Sequence, residues 1–489
     1  MPLRVSNARL AIVGLGPASL DRLSARSLAL LEDPERHVVV RTAHHPATIE
    51  LGARRNIVTC DDLYETGAGF DDVYEAIVDR VMTAALTKPT VYAVPGSAVV
   101  GERAVAEIRR RSGEAGLSIE LIPGESFLDL VYAEAAIDPI VRPVKILDGR
   151  DLPDPLIYDS ALIITQVDRP EVLADTAAVL GRVLADETPV VVLDRLGDPD
   201  QVVTELELCE LATYEPGPRT SLFLDPEPAG WYGLVVVNRL LRQECPWDKK
   251  QTHHSLVSHL IEETYETVDA IRALSQDAPG GEPDYGAYAE VEEELGDLLL
   301  QVVSHAMLAS EVGAFDVEEV AEVIRRKLIH RHPHVFGEVV ADDAETVISN
   351  WEAIKSEEKA RTSLMDDIPG AMPAIVRADK VQRRAKSVGF DWDDPAPVFA
   401  KIREELDELA AEIRDPVRAS EELGDLLFAV VNLSRHLAVD PELALAGASD
   451  RFADRIRFME RVAANGLAEL SAEELEGLWE QAKAVERLS

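Results

Sequence analysis

Cysteine is scarce in this chain: 489 residues hold three, Cys60, Cys209 and Cys245, widely separated and in no CxxC spacing. That excludes a disulfide framework and a thiolate zinc site, and it fits a reducing compartment. Long apolar runs are missing as well. A spanning helix needs about 18 consecutive apolar residues, and the opening MPLRVSNARLAIVGLG passes from one short strand into glycines. Neither a membrane span nor a signal peptide is expected, and cytoplasmic placement is. Basic residues are few: 49 Lys and Arg stand against 90 Asp and Glu, a net charge of −41. Both halves share the acidic excess, so no basic face exists for a nucleic-acid backbone to follow. An acidic protein still reaches polyphosphates when divalent cations mediate the contact. Some carboxylates are therefore candidate metal ligands, while most are solubilising surface charge.

The hydrophobic fraction of 46% is enough for real cores, and the length calls for two or three domains. Residues 1–225 alternate short β-branched runs (LAIVGLG, HVVVRT, TVYAVPG, SIELIPG, SALIITQV, TPVVVLDRLG) with helical stretches. This is the pattern of an α/β domain with a largely parallel sheet. The stretch 215–230, with four prolines and two glycines, reads as a linker. Strand signals then stop and amphipathic helices dominate. The expected fold is thus multi-domain, an N-terminal α/β domain followed by tandem all-α repeats at 231–361 and 374–487.

The repeat is the most informative feature. The first copy runs Trp247-Asp248, Glu262-Glu263-x-x-Glu266, Glu293-Glu294-Leu-Gly-Asp297, Lys327-x-x-x-Arg331 and Trp351-x-x-x-Lys355. The second runs Trp392-Asp393, Glu404-Glu405-x-x-Glu408, Glu421-Glu422-Leu-Gly-Asp425, Arg451-x-x-x-Arg455 and Trp479-x-x-x-Lys483. On a helix, residues three and four apart share a face, so Glu263 with Glu266, and Glu294 with Asp297, project together. The opposite flanks are apolar: Val257, Leu260, Val268 and Ile271, then Val291, Leu295, Leu298 and Val302 in the first copy. In the second they are Ile402, Leu406, Leu409 and Ile413, then Leu423, Leu427 and Val430. Two such helices packed together bring four or five carboxylates into one patch, and such crowding needs a counter-charge. A hard divalent cation that keeps substrate phosphates in its shell supplies it. The basic pairs suit phosphate oxygens, and each tryptophan one turn before a lysine offers a face for a nucleobase.

These motifs resemble the MazG family of nucleoside triphosphate pyrophosphohydrolases. ECPWDKKQT, HLIEETYETVDAI, EELGDLLLQVV, HRHPHVF and WEAIKSEEKAR carry the resemblance in the first repeat. VGFDWDD, EELDELAAEI and EELGDLLFAVVNLSRH carry it in the second. It implies an all-α fold, commonly dimeric, and Mg²⁺-dependent (Mn²⁺-tolerant) hydrolysis of the α–β anhydride to nucleoside monophosphate and pyrophosphate. Carried over, the metal set is Glu263, Glu266, Glu294 and Asp297 in the first copy, with Glu405, Glu408, Glu422 and Asp425 in the second. Glu262 and Glu263, or Glu404 and Glu405, act on the water. Lys327, Arg331, Trp351, Lys355, Arg451, Arg455, Trp479 and Lys483 meet the nucleotide. The second copy, its acid motifs 17 residues apart (404 to 421) against 31 (262 to 293), is the slightly favoured active one.

The front half resembles tetrapyrrole methylases, on GLGPAS, VYAVPGSAVVGERAV and ELIPGESFLDLVYAEAAIDPI. That implies an S-adenosylmethionine pocket at Gly14, Gly16, Pro95, Gly96 and Ser97. Two departures weaken catalysis there: Ala18 replaces a usual glycine, and the second loop lacks its aspartate. The alternative reading is a methyltransferase with the helical half as a partner or dimerisation module. The expected partners are nucleoside triphosphates and a second copy of the chain, without nucleic acid or membrane.

Overall fold

The computed structural model describes residues 8–66, 69–341, 343–358, 363–463 and 466–486. The chain divides into two compact units, Met1–Val320 and Ala321–Ser489.

The first unit opens on a five-stranded sheet of β1 (Leu10–Gly14), β2 (His37–Val40), β3 (Val58–Thr59), β4 (Thr90–Val94) and β5 (Ile119–Ile122), in the order β3-β2-β4-β1-β5. Every pairing is parallel. Parallel neighbours need crossovers, and α1 (Ala25–Glu32), α2 (Pro46–Arg54), α3 (Asp61–Thr66), α4 (Phe70–Thr87) and α5 (Arg103–Glu114) occupy them. β1 and β4 are buried at every residue, as strands covered on both faces are. Ile12 and Tyr92 face Ile77 and Ile108 on one side, while Val13 and Val40 face Leu31 and Leu51 on the other.

After α6 (Phe127–Glu134) comes a second sheet of β6 (Val144–Asp148), β7 (Ala161–Thr165), β8 (Pro189–Asp194), β9 (Val202–Glu207) and β10 (Ser221–Leu224), with α7 (Pro170–Leu180) and α8 (Leu208–Leu211) beside it. Its order is β6-β7-β10-β8-β9. Only β6 and β7 run parallel; β10 pairs antiparallel with both β7 and β8, and β9 antiparallel with β8. The expected parallel sheet is therefore confined to the first five strands. β10 also corrects the linker reading of 215–230. Ser221–Leu224 is buried throughout and lies in the middle of the sheet, hidden in sequence by the prolines and glycines around it.

The same unit continues with α9 (Gly230–Glu244), α10 (Val257–Ala273) and α11 (Tyr285–Glu311). The second contains most of α12 (Val317–Arg331), then α13 (Pro333–Phe336), α14 (Ala344–Glu358), α15 (Ala374–Lys386), α16 (Pro395–Glu412), α17 (Pro416–His436), α18 (Pro441–Val462) and α19 (Ala472–Glu486). Three of these start alike. Asp394, Asp415 and Asp440 cap free amides of the first turn, each ahead of a proline at the first helical position. The aspartate satisfies donors the helix leaves open, and proline gives up an N–H that had no partner. α10 packs on α11, and α16 on α17. Those two pairs carry the acidic motifs.

Candidate active site

Thr267 Oγ1 reaches across from α10 to the backbone of α11, donating to the Glu294 carbonyl at 3.2 Å. The same hydroxyl lies 2.7 Å from the Glu263 carbonyl of its own helix, so it sits between the two helices where the carboxylates meet. Ligand atoms of Glu263, Glu294 and Asp297 all lie within 4.8 Å of one another. In the second unit Glu405, Glu408 and Glu422 do the same. Glu266 and Asp425 stand just outside these triads, close enough to act on their charge. Glu262 is exposed, its carboxylate 3.8 Å from His259 Nδ1.

The crowding shifts the acids. Burial, reinforced by Asp297, Glu266, Glu262 and Glu294, pushes the Glu263 carboxyl above its usual range. Burial with Glu266 and Asp297 does so for Glu294. Burial with Glu408, Glu405 and Asp425 raises Glu422. One oxygen of Glu294, Oε2, is buried and accepts no hydrogen bond. A buried carboxylate oxygen without a donor is costly, and a hard cation is the ligand an all-oxygen donor set of this kind fits.

Lys401 is a site residue that motif spacing alone passed over. Its Nζ lies 2.7 Å from both Glu404 Oε1 and Glu405 Oε1, and the two glutamates raise its pKa. Glu405 is only 4% exposed. The i,i+4 rule that grouped the acids also reaches Lys401, four residues before Glu405; His259 holds that place in the first copy.

The basic and aromatic elements converge in both copies. Arg331 Cζ and Lys355 Nζ lie 5.5 and 4.2 Å from the centre of the Trp351 ring. Arg455 Cζ lies 5.1 Å from that of Trp479, which also meets Phe452. A glutamate seven residues after each tryptophan fixes the arginine: Glu358 binds Arg331 Nη2 at 2.5 Å, and Glu486 binds Arg455 Nε at 2.7 Å. Hydrogen bonds from Arg331 and His330 hold Glu358 down to about 2. The tryptophan rings thus meet guanidinium groups, which makes each arginine a fixed donor. Lys327 and Arg451 are exposed, and Lys483 pairs with Glu480.

The apolar flanks of the acidic helices are only partly covered within the described residues; Leu260, Val268, Val291, Leu298, Ile402 and Leu409 are half-buried. Val257, Ile271, Leu295, Val302, Leu406, Ile413, Leu423, Leu427 and Val430 are each more than a third exposed.

At the front, the glycines of the expected cofactor turns meet one another. Gly16 N donates to Gly96 O at 3.0 Å and Gly96 N to Gly16 O at 2.8 Å, with φ of +70° and +61°. A Cβ on Gly14 would lie 1.9 Å from the Pro123 carbonyl oxygen. Ser97 is buried, whereas Pro95 and Gly96 are partly exposed. Ala18 is buried, 3.5 Å from where a Cβ on Gly197 would stand.

Comparison with known proteins decides the family. A model of the MazG nucleotide pyrophosphohydrolase domain matches residues 251–336, and one of tetrapyrrole (corrin/porphyrin) methylases matches 9–212. A nucleoside triphosphate pyrophosphohydrolase of Escherichia coli K12 is 43% identical over 265 residues, 52% of this chain and 96% of that protein. The chain belongs to the MazG family. A MazG enzyme of Thermotoga maritima, a nucleoside triphosphate pyrophosphohydrolase/pyrophosphatase, is 46% identical over 257 residues, 51% of this chain and 94% of its own. "Uncharacterized protein YabN" of Bacillus subtilis is 34% identical over 98% of this chain and 99% of its own, so the MazG half and the methylase-like half occur together there too. Among solved structures, a Thermus thermophilus uroporphyrin-III C-methyltransferase covers 49% of this chain and 96% of its own at 20% identity, with a TM-score of 0.35. The chain thus joins a MazG nucleotide pyrophosphohydrolase domain to a tetrapyrrole methylase-like N-terminal domain. Among the described residues no helix is long and apolar enough to cross a membrane.

Proposed function

We propose that the chain cleaves nucleoside triphosphates between the α and β phosphorus atoms, using a divalent cation, Mg²⁺ with Mn²⁺ as substitute. The observation that carries this reading is the duplicated triad of carboxylates on paired helices. Glu263, Glu294 and Asp297, with Glu266 beside them, would hold the cation in repeat 231–361. Glu405, Glu408 and Glu422, with Asp425, would do so in repeat 374–487. When bound, the cation supplies charge neutralisation for the polyphosphate and a more acidic water. The chain's own groups do the rest. Glu262 and Glu404, at the outer edge of each set, orient the attacking water with Glu263 and Glu405. Arg331 and Arg455, held by Glu358 and Glu486 against a tryptophan, donate to phosphate oxygens in fixed geometry. Lys327, Lys355, Arg451 and Lys483 add positive charge around the nucleotide. Product analysis tests the bond cleaved: monophosphate and pyrophosphate in equal amounts are expected, and diphosphate with orthophosphate contradicts the reading.

The exposed apolar residues Leu406, Leu423, Leu427 and Val430 of the packed pair α16 and α17 support self-association, since exposed apolar patches mark interfaces. A second copy of the chain is the proposed cover. Sedimentation of Leu427→Glu against wild type tests it, with a shift toward monomer expected.

Methyl transfer from S-adenosylmethionine is the second reading, favoured by the match over 9–212. The mutual hydrogen bonds of Gly16 and Gly96 speak against it, because they leave neither of these two amides free to donate to a cofactor. Saturating S-adenosylmethionine should then leave the melting temperature of the N-terminal domain unchanged. A rise of several degrees supports the pocket.

A further inference from the structure

The two acidic sets have the same motif but different counter-charges. In the first, among the described residues, no lysine or arginine forms an ion pair with Glu263, Glu266, Glu294 or Asp297. His259, at the position matching Lys401, pairs with Glu262 at 3.8 Å, and Glu294 Oε2 is buried without a donor. In the second, the corresponding position is Lys401. Its ammonium sits 2.7 Å from the Oε1 atoms of both Glu404 and Glu405, and Glu405 is buried. A buried carboxylate needs a cation close by, and here the chain provides one.

We infer that the two repeats are unequal toward divalent cations: the Glu263 set binds first and more tightly, and Lys401 is a built-in competitor that must leave Glu405 before the second set binds. The inference rests on the carboxylate sets being metal sites. Its logic is Coulombic. A unit positive charge 2.7 Å from a Glu405 oxygen opposes an incoming dication and holds part of the donor set. Among the described residues the first set offers negative charge with no ion-paired lysine or arginine to displace. Lys401 thus acts on affinity and order of filling, as a positioning group and not a ligand.

The test is Mn²⁺ binding to the full chain without nucleotide, counted as free Mn²⁺ by electron paramagnetic resonance at physiological salt. Wild type should show two classes of site differing by on the order of tenfold or more in Kd. Glu263→Gln should abolish the tighter class. Lys401→Met should tighten the weaker class by on the order of tenfold and leave the other unchanged. Lys401→His, which writes the first copy's residue into the second, should tighten it too, so the test survives a Lys401→Met protein that does not fold. A single class of equal sites in wild type, or weaker binding after both Lys401 changes, overturns the inference while leaving the metal reading intact. Absence of any Mn²⁺ binding overturns both.

Discussion

Glu263 and Glu294 face each other across α10 and α11 with carboxylate oxygens within 4.8 Å, and one oxygen of Glu294 is buried without a donor. In the absence of a cation this contact is repulsive. Both carboxyls are pushed above the usual range, first by burial and then by their acidic neighbours. Their favourable contribution is therefore complete only below the ordinary carboxylate pKa, and it is lost as pH rises through the raised values. Glu294→Gln should melt higher than wild type at about pH 7.5 in chelator, with the gain fading toward about pH 4. Excess Mg²⁺ should reverse the order at neutral pH. A calorimetric melt of both proteins, with chelator and with Mg²⁺, checks the sign.

Asp391 and Arg435 form an ion pair at 3.0 Å, each side chain only 7% exposed. Arg435 also reaches Gln382 of α15, so the pair ties the loop before α16 to two helices. Burial alone would raise the Asp391 carboxyl; the Arg435 guanidinium outweighs it and holds the group below the usual range. Its stabilising effect is present above the unfolded carboxylate pKa and is lost as pH falls through the lowered one. Asp391→Asn leaves a buried guanidinium without its counter-charge, at a cost of about 3 kcal/mol. Urea unfolding of the second unit at neutral pH should show it.

Gly14 ends β1 where the chain meets the turn before α6. A Cβ there would lie 1.9 Å from the Pro123 oxygen and 2.6 Å from that of Gly96, both backbone atoms that no side-chain rotation relieves. Gly14→Ala should destabilise the methylase-like domain by more than about 3 kcal/mol. Limited proteolysis should then cut within residues 9–212 while the helices stay intact.

Arg455 is fixed between Trp479 and Glu486. If it grips phosphate oxygens in ground and transition states alike, its loss appears chiefly in KM. Arg455→Ala should raise KM about tenfold or more with a smaller effect on kcat. Steady-state kinetics with one nucleoside triphosphate separates the two.

Much of this architecture is local and therefore readable from residue order. The 3–4 spacing of the acids and the lysine one turn after each tryptophan follow from helix geometry over one or two turns, whereas the arginine on each tryptophan ring comes from a different helix and only the structure brings it there. β10 was not legible, because a serine and three apolar residues between prolines carry no periodicity; its strand character comes from β7 and β8 on either side. The exposed flanks were hidden for the opposite reason. Leu406, Leu423 and Leu427 repeat as core residues do, yet one described chain leaves them in solvent. Lys401 fell between these cases. Its spacing to Glu405 was visible, but only the structure places the ammonium on a buried carboxylate.

Pyrophosphate release from a nucleoside triphosphate by the full chain, with Mg²⁺ and with excess chelator, for wild type and a Glu263→Gln, Glu405→Gln double variant, tests the central claim most directly. The carboxylate account predicts release that requires Mg²⁺ and falls by about a hundredfold or more in the double variant. Release that persists in chelator, or that survives both substitutions, would contradict it.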